Sequence, residues 1–466
     1  MKKILFCLLA FYTPVSIVIA QNTTNSPTSM FGLGELSTGE GGQYAGLGGT
    51  GIALRGNNFL NNANPASLTE LTEQRFQIDA GIMGAYQIYS QRGASNRSVT
   101  GNLNNLSIGC RIMPRWYGAI FMAPVSSVGY AITLDEEVAG TNGGTISSLF
   151  QGEGGLSKMG ISTAYLFGKR FSVGTNLSYV TGTITQTETQ GTATEETSSY
   201  KHTFYADFGV QYKWAIDRER SFVAGAVYGY SQDFKQDNNL YVSSSSGGDD
   251  IEKSLKRYRQ CLPQFFGLGA SYNTLRWMAT IDYKYVDWSR MQSSQSNVSF
   301  ENQHRLSVGG RYTLGNVYRN PVSILLGTGI NNSYIVIQKK KATEYYVSTG
   351  LNFGLRNNNV LSIGLKYKGQ MKIPNGMQKE NSLSLFLKEN PITSIKNQNR
   401  SSTCWSFSTL GFVESELLRL GKGEYDLSEM FVVHKTMQDR GVNYVRYHGD
   451  SSFSPGGSFY DVMYCI

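Results

Sequence analysis

The sequence predicts a mainly β protein: roughly fourteen antiparallel strands closed into a transmembrane barrel, with an N-terminal plug and a short α-helical segment after the last strand. Three observations lead there. Long stretches alternate apolar and polar residues with a period of two, the connections between them alternate short and long, and an export signal is followed by no apolar run of membrane-helix length.

The strands carry the argument. Phe76, Ile78, Ala80, Ile82, Gly84, Tyr86 and Ile88 alternate with Gln77, Asp79, Gly81, Met83, Ala85, Gln87 and Tyr89. Phe204, Ala206, Phe208, Val210, Tyr212 and Trp214 alternate with Tyr205, Asp207, Gly209, Gln211 and Lys213. Trp277, Ala279, Ile281, Tyr283 and Tyr285 do so against Met278, Thr280, Asp282 and Lys284, and Leu306, Val308, Gly310 and Tyr312 follow suit. Side chains of a strand point alternately to its two faces, so each stretch has one apolar face and one mixed face. Such runs reach about ten residues or more, against about five or six for strands of soluble domains.

The connections sort by length. Short turns fall at Met113-Pro114-Arg115, Phe167-Gly168-Lys169, Trp214 to Arg220, Asn273-Thr274, Leu314 to Asn320 and Arg356 to Asn359. Between them lie long polar stretches, expected as external loops: Ser90 to Asn102, Pro124 to Lys158, Thr183 to Tyr200, Gln232 to Pro263, Ser289 to Glu301, Asn331 to Ala342 and Gln370 to Gln378. Short periplasmic turns and long external loops are the plan of outer-membrane barrels. An exported propeller would also alternate, but its blades would repeat at a fixed period, and none is present. An even strand count returns the chain to the periplasm after Leu383-Ser384-Leu385-Phe386-Leu387.

Lys2 and Lys3 precede the apolar stretch Ile4 to Ala20, and Ala20 before Gln21 is a plausible cleavage site, so residues 1–20 read as a signal peptide. With no membrane helix available, a spanning chain must close its sheet, because unpaired backbone groups cannot be left in lipid. Composition agrees: 29 Tyr and 52 Gly against only 16% charged residues, where soluble domains run near a quarter charged. The formal charge of +8 is dispersed, with no basic patch of the kind that binds nucleic acid. The cysteines after the leader, Cys110, Cys261, Cys404 and Cys465, match no zinc spacing, and nothing calls for a metal or cofactor.

Residues 21–73 are rich in Gly, Asn, Ser and Thr and lead directly into the first strand, as a plug inside the barrel would; residues 74–388 are the barrel. Gly46-Leu47-Gly48-Gly49-Thr50-Gly51 matches a dinucleotide-binding pattern formally, but lacks the strand before and helix after that give the pattern meaning.

Asn64-Pro65-Ala66-Ser67-Leu68, Gly46 to Leu54, Pro124 to Tyr130 and Asp287-Trp288-Ser289 resemble the long-chain fatty-acid and hydrophobic-compound transporter family of outer membranes, over about Met30 to Leu387. The resemblance implies fourteen strands, an N-terminal hatch, outer-membrane lipid as surroundings and a hydrophobic small molecule as cargo.

After Lys388 the pattern changes. Leu410, Val413, Leu417 and Leu420 recur at helical spacing with Gly421 as a stop, and Asp426 to Met430 suits a second helix start. Residues 389–466 therefore form a separate segment. Within it, Gln398 to Phe407, Ser428 to Val433 and Pro455 to Phe459 resemble the nucleophile region of papain-like cysteine peptidases, in the bleomycin hydrolase and aminopeptidase C branch. The resemblance implies Cys404 as nucleophile, Gln398 as oxyanion donor, Gly456 and Gly457 as substrate-binding residues, and a peptide substrate. A thiol opening a helix is biased toward the reactive thiolate. Ser402 stands where the family has glycine, His434 and His448 match no family histidine, and His202 and His304 belong to the barrel. With no general base before Ile466, the segment is expected to be an incomplete, inactive peptidase on the periplasmic side. The alternative is an exported cysteine aminopeptidase carrying a β-rich accessory domain.

Overall fold

A computed structural model describes residues 24–37, 42–56, 59–71, 76–91, 94–137, 145–247, 250–255, 258–293, 295, 297–317, 321–355, 360–372, 379–390, 403–419, 425, 427–451, 453–454 and 456–465. The leader expected at residues 1–20, Gln398 and Gly421 lie outside them. The chain forms two compact units, Met1–Glu73 with Gln77–Pro391, and Ile392–Ile466 with Gln74–Phe76.

The first unit is a closed antiparallel barrel, and among the described residues its wall counts fourteen strands. They are β1 (Phe76–Gln91), β2 (Ala94–Met113), β3 (Trp116–Glu137), β4 (Thr145–Phe167), β5 (Phe171–Gln190) and β6 (Ala193–Ala215). β7 runs in three pieces (Ser221–Gly229, Gln232–Asp233, Lys235–Ser244), and so does β8 (Ile251–Ser254, Cys261–Leu262, Gln264–Asn273). β9 (Trp277–Asp287) is followed by β10 (Val298–Phe300 and Gln303–Leu314), β11 (Val322–Ile337), β12 (Lys340–Gly354), β13 (Val360–Lys372) and β14 (Lys379–Asn390). Each strand pairs with its neighbours in sequence, and β14 returns to β1 in a ladder from Ala80↔Glu389 to Ser90↔Lys379. No sheet edge is left along that seam, as a membrane requires.

The two faces of the wall are inverted relative to a soluble protein. Ile78, Phe208, Ile281, Leu326 and Val347 are exposed, while Asp79, Asp207, Asp282 and Ser348, next to them in sequence, are buried. The apolar face points outward and the mixed face lines the lumen. Aromatic residues gather at two heights of the outer face. Trp214, Trp277 and Tyr312 mark the rim of the short turns, with Trp277 and Tyr312 rings 4.7 Å apart. Tyr200, Tyr283 and Tyr285 mark the other, beside His202 and His304, where the Tyr283 hydroxyl lies 2.8 Å from His304 Nδ1. Trp277 to Tyr285 is about the nine to eleven residues that a tilted strand needs to cross a bilayer.

The expected long loops are largely strand. β5 and β6 are 20 and 23 residues long and meet in a tight turn at Gly191 and Thr192, so Thr183 to Tyr200 is a hairpin. β11 and β12 likewise meet at Gln338 and Lys339, and most of Pro124 to Lys158 belongs to β3 and β4. The reason is physical: above the lipid both faces of a strand meet water, so the apolar alternation fades, while threonine-rich sequence still favours extended backbone.

The hatch fills the lumen. It comprises a 3-10 turn at Pro27–Met30, a two-residue strand Glu35–Leu36, a short helix Gly42–Gly46 and a second 3-10 segment Pro65–Glu70. Asn64 caps the last, its side chain accepting from the Ala66 N–H at 3.1 Å. Leu33, Leu47, Leu54, Leu60 and Leu68 are at most 2% exposed and are the largest buried side chains of the hatch. Polar strand side chains grip its backbone. Asp282 Oδ2 accepts from the N–H groups of Gly51 (2.6 Å) and Ile52 (2.8 Å), Gln211 donates to the Ile52 carbonyl (2.8 Å), and Ser271 to that of Ala53 (2.9 Å).

The second unit has helices α1 (Cys404–Arg419), α2 (Glu429–Arg446) and α3 (Phe459–Cys465). Trp405, Leu410, Val432, Val433 and Val462 form its core. Ser428 caps α2 by accepting from the Phe431 N–H, and Glu414 accepts from the Leu427 N–H at 2.6 Å.

Candidate functional site

Between the outer half of the hatch and the wall lies a chamber of about 400 Å³. One part of its lining is apolar and aromatic, with Val180, Tyr205, Phe265, Trp288, Tyr334 and Phe386. Trp288 stacks on Tyr334 with centroids 4.2 Å apart, and Tyr334 stacks in turn on Phe300 at 5.9 Å. The Tyr334 hydroxyl donates to the Gly34 carbonyl at 2.8 Å, fixing the stack to the hatch.

The other part is charged. Lys158, Lys284, Arg305, Lys366 and Lys368 face Glu35, Glu344 and Glu380. Four of the cations sit over rings, the nearest being Lys284 Nζ at 3.9 Å from the Phe265 centroid and Lys366 Nζ at 4.4 Å from that of Tyr346, with Arg305 and Lys158 farther out at 5.3 and 5.7 Å from Tyr346 and Phe121. Lys368 is shared by two carboxylates, Glu35 at 2.8 Å and Glu380 at 3.3 Å, and Ser26 donates to Glu380 at 2.8 Å. Burial pushes the Glu35 carboxyl up, but Lys368 beside it more than offsets this and holds it below its ordinary value.

The wall is interrupted next to this chamber. The β2–β3 ladder runs only from Leu106↔Met122 to Met113↔Trp116. Above it β3 bulges between Pro124 and Ser126, and its edge is taken by the hatch: Glu35 pairs with Ser127, Leu36 with Ser126, and the Ser37 N–H donates to the Val125 carbonyl at 2.9 Å. Gly34 is required there. Its φ is +89° and an added Cβ would lie 2.4 Å from the Ser127 carbonyl oxygen.

Neither the chamber's charges nor its aromatic stack was singled out as a site by the sequence. The signal present was the mixed strand face, where Asp282 and Lys284 alternate with an apolar set, together with the Trp288 tripeptide. Which mixed-face residues meet depends on the closure of the barrel.

In the second unit Cys404 is exposed at the first position of α1. Gly457 lies against the Trp405 ring, where an added Cβ would come within 2.4 Å, whereas Gly456 faces open space and its carbonyl accepts from Arg440. Asp461 accepts from the Ser458 N–H (2.7 Å) and hydroxyl (2.9 Å) and pairs with Arg440 at 3.1 Å. Burial pushes its carboxyl up, and these partners outweigh it and hold the group low. Among the described residues no cluster of His, Cys, Asp and Glu could hold a metal, and Cys110, Cys261, Cys404 and Cys465 are free thiols.

Fold and chamber together define a fourteen-stranded transmembrane barrel with an internal N-terminal hatch. The chain belongs to the BamG family, whose model matches residues 1–389. The helical unit lies outside that match. No curated protein matches the chain. Among solved structures, the toluene transporter TodX of Pseudomonas putida superimposes with a TM-score of 0.54 at 14% identity, covering 77% of this chain and 99% of that one. The CymD monoaromatic hydrocarbon channel gives 0.51 at 14%, covering 78% and 99%. A Pseudomonas aeruginosa FadL homologue gives 0.51 at 12%, covering 81% and 100%. At these identities the likeness is one of fold.

Proposed function

We propose that the barrel resides in the outer membrane and carries hydrophobic small molecules, held on the way in the chamber between hatch and wall. The observation that carries this is the chamber itself: a half-open space lined by aromatic and by charged side chains, with an interruption in the β2–β3 ladder beside it. Ligand sites combine apolar lining with a few placed polar groups in this way. The similar structures, a monoaromatic hydrocarbon channel and a toluene transporter, point to the same class of cargo. The test uses the full chain in lipid nanodiscs, titrated with naphthalene. Saturable binding is expected beyond partition into lipid, weakened at least tenfold by Ser384→Trp, which fills the chamber from β14. Binding indistinguishable from empty nanodiscs would refute the proposal.

For the helical unit we propose a papain-like segment on the periplasmic side, with Cys404 as the nucleophile, Gln398 as oxyanion donor and Gly456 and Gly457 toward a peptide substrate. The exposed thiol at the head of α1 supports this. Iodoacetamide is expected to alkylate Cys404 while a peptide amide remains uncleaved. Cleavage abolished by Cys404→Ala would instead favour the active aminopeptidase.

A further inference from the structure

We propose that the external rim of β6 to β9 carries a site for a phosphorylated lipid of the outer leaflet: Arg259 and Arg290, held side by side by Asp233, receive the headgroup phosphate, and Lys235 flanks it. The proposal rests on the membrane placement above and is independent of the cargo.

Register sets the height of these residues. Lys235 of β7 is opposite His202 of β6, whose ring packs on Tyr200 at the upper aromatic rim. Two residues nearer the membrane centre, Phe204 is 73% exposed on the outer face. The ladder between β8 and β9 runs up to Gln264↔Asp287, and Arg259 and Arg290 lie beyond that end, on the external side. The cations therefore stand where headgroups replace acyl chains, just above the level at which aromatic rings anchor a barrel. Below them the wall offers an apolar bed. Phe208, Tyr228 and Phe266 are direct neighbours on β6, β7 and β8, and all three are exposed.

Charge sets the chemistry of the ligand. Arg259 donates to Asp233 through Nε at 3.1 Å and Nη2 at 3.0 Å, and Arg290 through Nη2 at 3.3 Å. Two guanidiniums against one carboxylate leave a positive charge over, and Lys235 adds another. A guanidinium has five N–H donors in a planar fork, so the pair keeps donors for a second anion, and its side chains stay 43% and 42% exposed. Arginine forks match phosphate oxygens bidentately. Lys235, Arg259, Asp233 and His202 line one open depression of about 710 Å³, wide enough for a headgroup. Asp237 lines it too and has an interaction of its own. Basic pockets at a membrane surface recognise lipid headgroups in this way. Free phosphate would meet the same guanidiniums, but a lipid also covers the apolar face beneath them, which favours the lipid.

The experiment adds diphosphoryl lipid A to the full chain in dodecyl maltoside micelles and measures retained lipid by native mass spectrometry. Lipid A is expected to bind at least tenfold more tightly than its dephosphorylated form. The double variant Arg259→Gln, Arg290→Gln should lose at least tenfold in affinity. Lys339→Gln with Lys340→Gln removes the same charge from the external hairpin of β11 and β12, and should leave binding unchanged. That contrast separates a site from the general attraction of a basic surface. Equal binding of the dephosphorylated lipid would overturn the proposal, as would wild-type binding in the arginine variant or an equal loss in the lysine one. Displacement of lipid A by an equimolar amount of inorganic phosphate would show a soluble-anion site instead and overturn it too. A chain that stays soluble without detergent would remove the membrane placement and this proposal together, whereas a micelle-bound chain that retains no lipid A removes this one alone.

Discussion

The wall and the hatch solve the burial problem in opposite ways. The wall satisfies its backbone by strand pairing and turns its apolar side chains outward to lipid. The hatch has little regular structure; it turns its leucines inward and has much of its backbone satisfied by polar side chains of the wall. Asp282 shows both solutions meeting: Ile281 beside it faces outward, while Asp282 itself receives the amides of Gly51 and Ile52. Charge is therefore intolerable at one position and required at the next.

A charge placed on the outer face of the wall should have the largest effect on global unfolding. Ile281→Arg puts a cation in the middle of the outer face and should cost about 2–4 kcal/mol, read by urea unfolding in lipid vesicles. Asp282→Ala should act on the hatch instead. Losing charge-assisted bonds costs about 1.5–3 kcal/mol each, so amides 51–54 should exchange faster while the wall unfolds at nearly the wild-type urea concentration. Gly48→Ala is a smaller probe of the same seating. Gly48 has φ +67° and lies against Thr328, whose backbone nitrogen and oxygen would both be 2.9 Å from an added Cβ. A left-handed alanine alone costs about 1–2 kcal/mol, again visible at the hatch and not in the wall.

These effects also explain what the sequence could and could not show. The strands were legible because lipid on one side and a polar lumen on the other write a period of two into Phe204 to Trp214 and Trp277 to Tyr285. The signal fails above the membrane, where Thr183 to Tyr200 meets water on both faces and reads as loop although it is a hairpin. The hatch was legible as a region but not as a fold, because its conformation is dictated by Asp282, Gln211 and Ser271, residues remote in sequence. The chamber was illegible for the same reason: Glu35 and Lys368 are brought together by barrel closure, not by spacing.

The helical unit offers the mildest test, since it follows neither pattern and buries its apolar residues in the ordinary soluble manner. Asp461 is held low by Ser458 and Arg440, so its contribution is full above the unfolded value, about 3.9, and is lost as pH falls through the lower folded value. Exchange at α3 amides should accelerate across that acidic window more in the wild type than in Asp461→Asn.

An inside-out wall makes a sharp prediction for the tryptophans. The chain has 5, of which Trp214 and Trp277 are 59% and 63% exposed on the outer face while Trp288 is 1% exposed in the chamber. In variants retaining one tryptophan each, reconstituted in vesicles of lipids brominated along the acyl chain, fluorescence from Trp214 and Trp277 should be strongly quenched and that from Trp288 spared. Equal quenching of all three, or an unquenched Trp277, would rule out an inside-out wall.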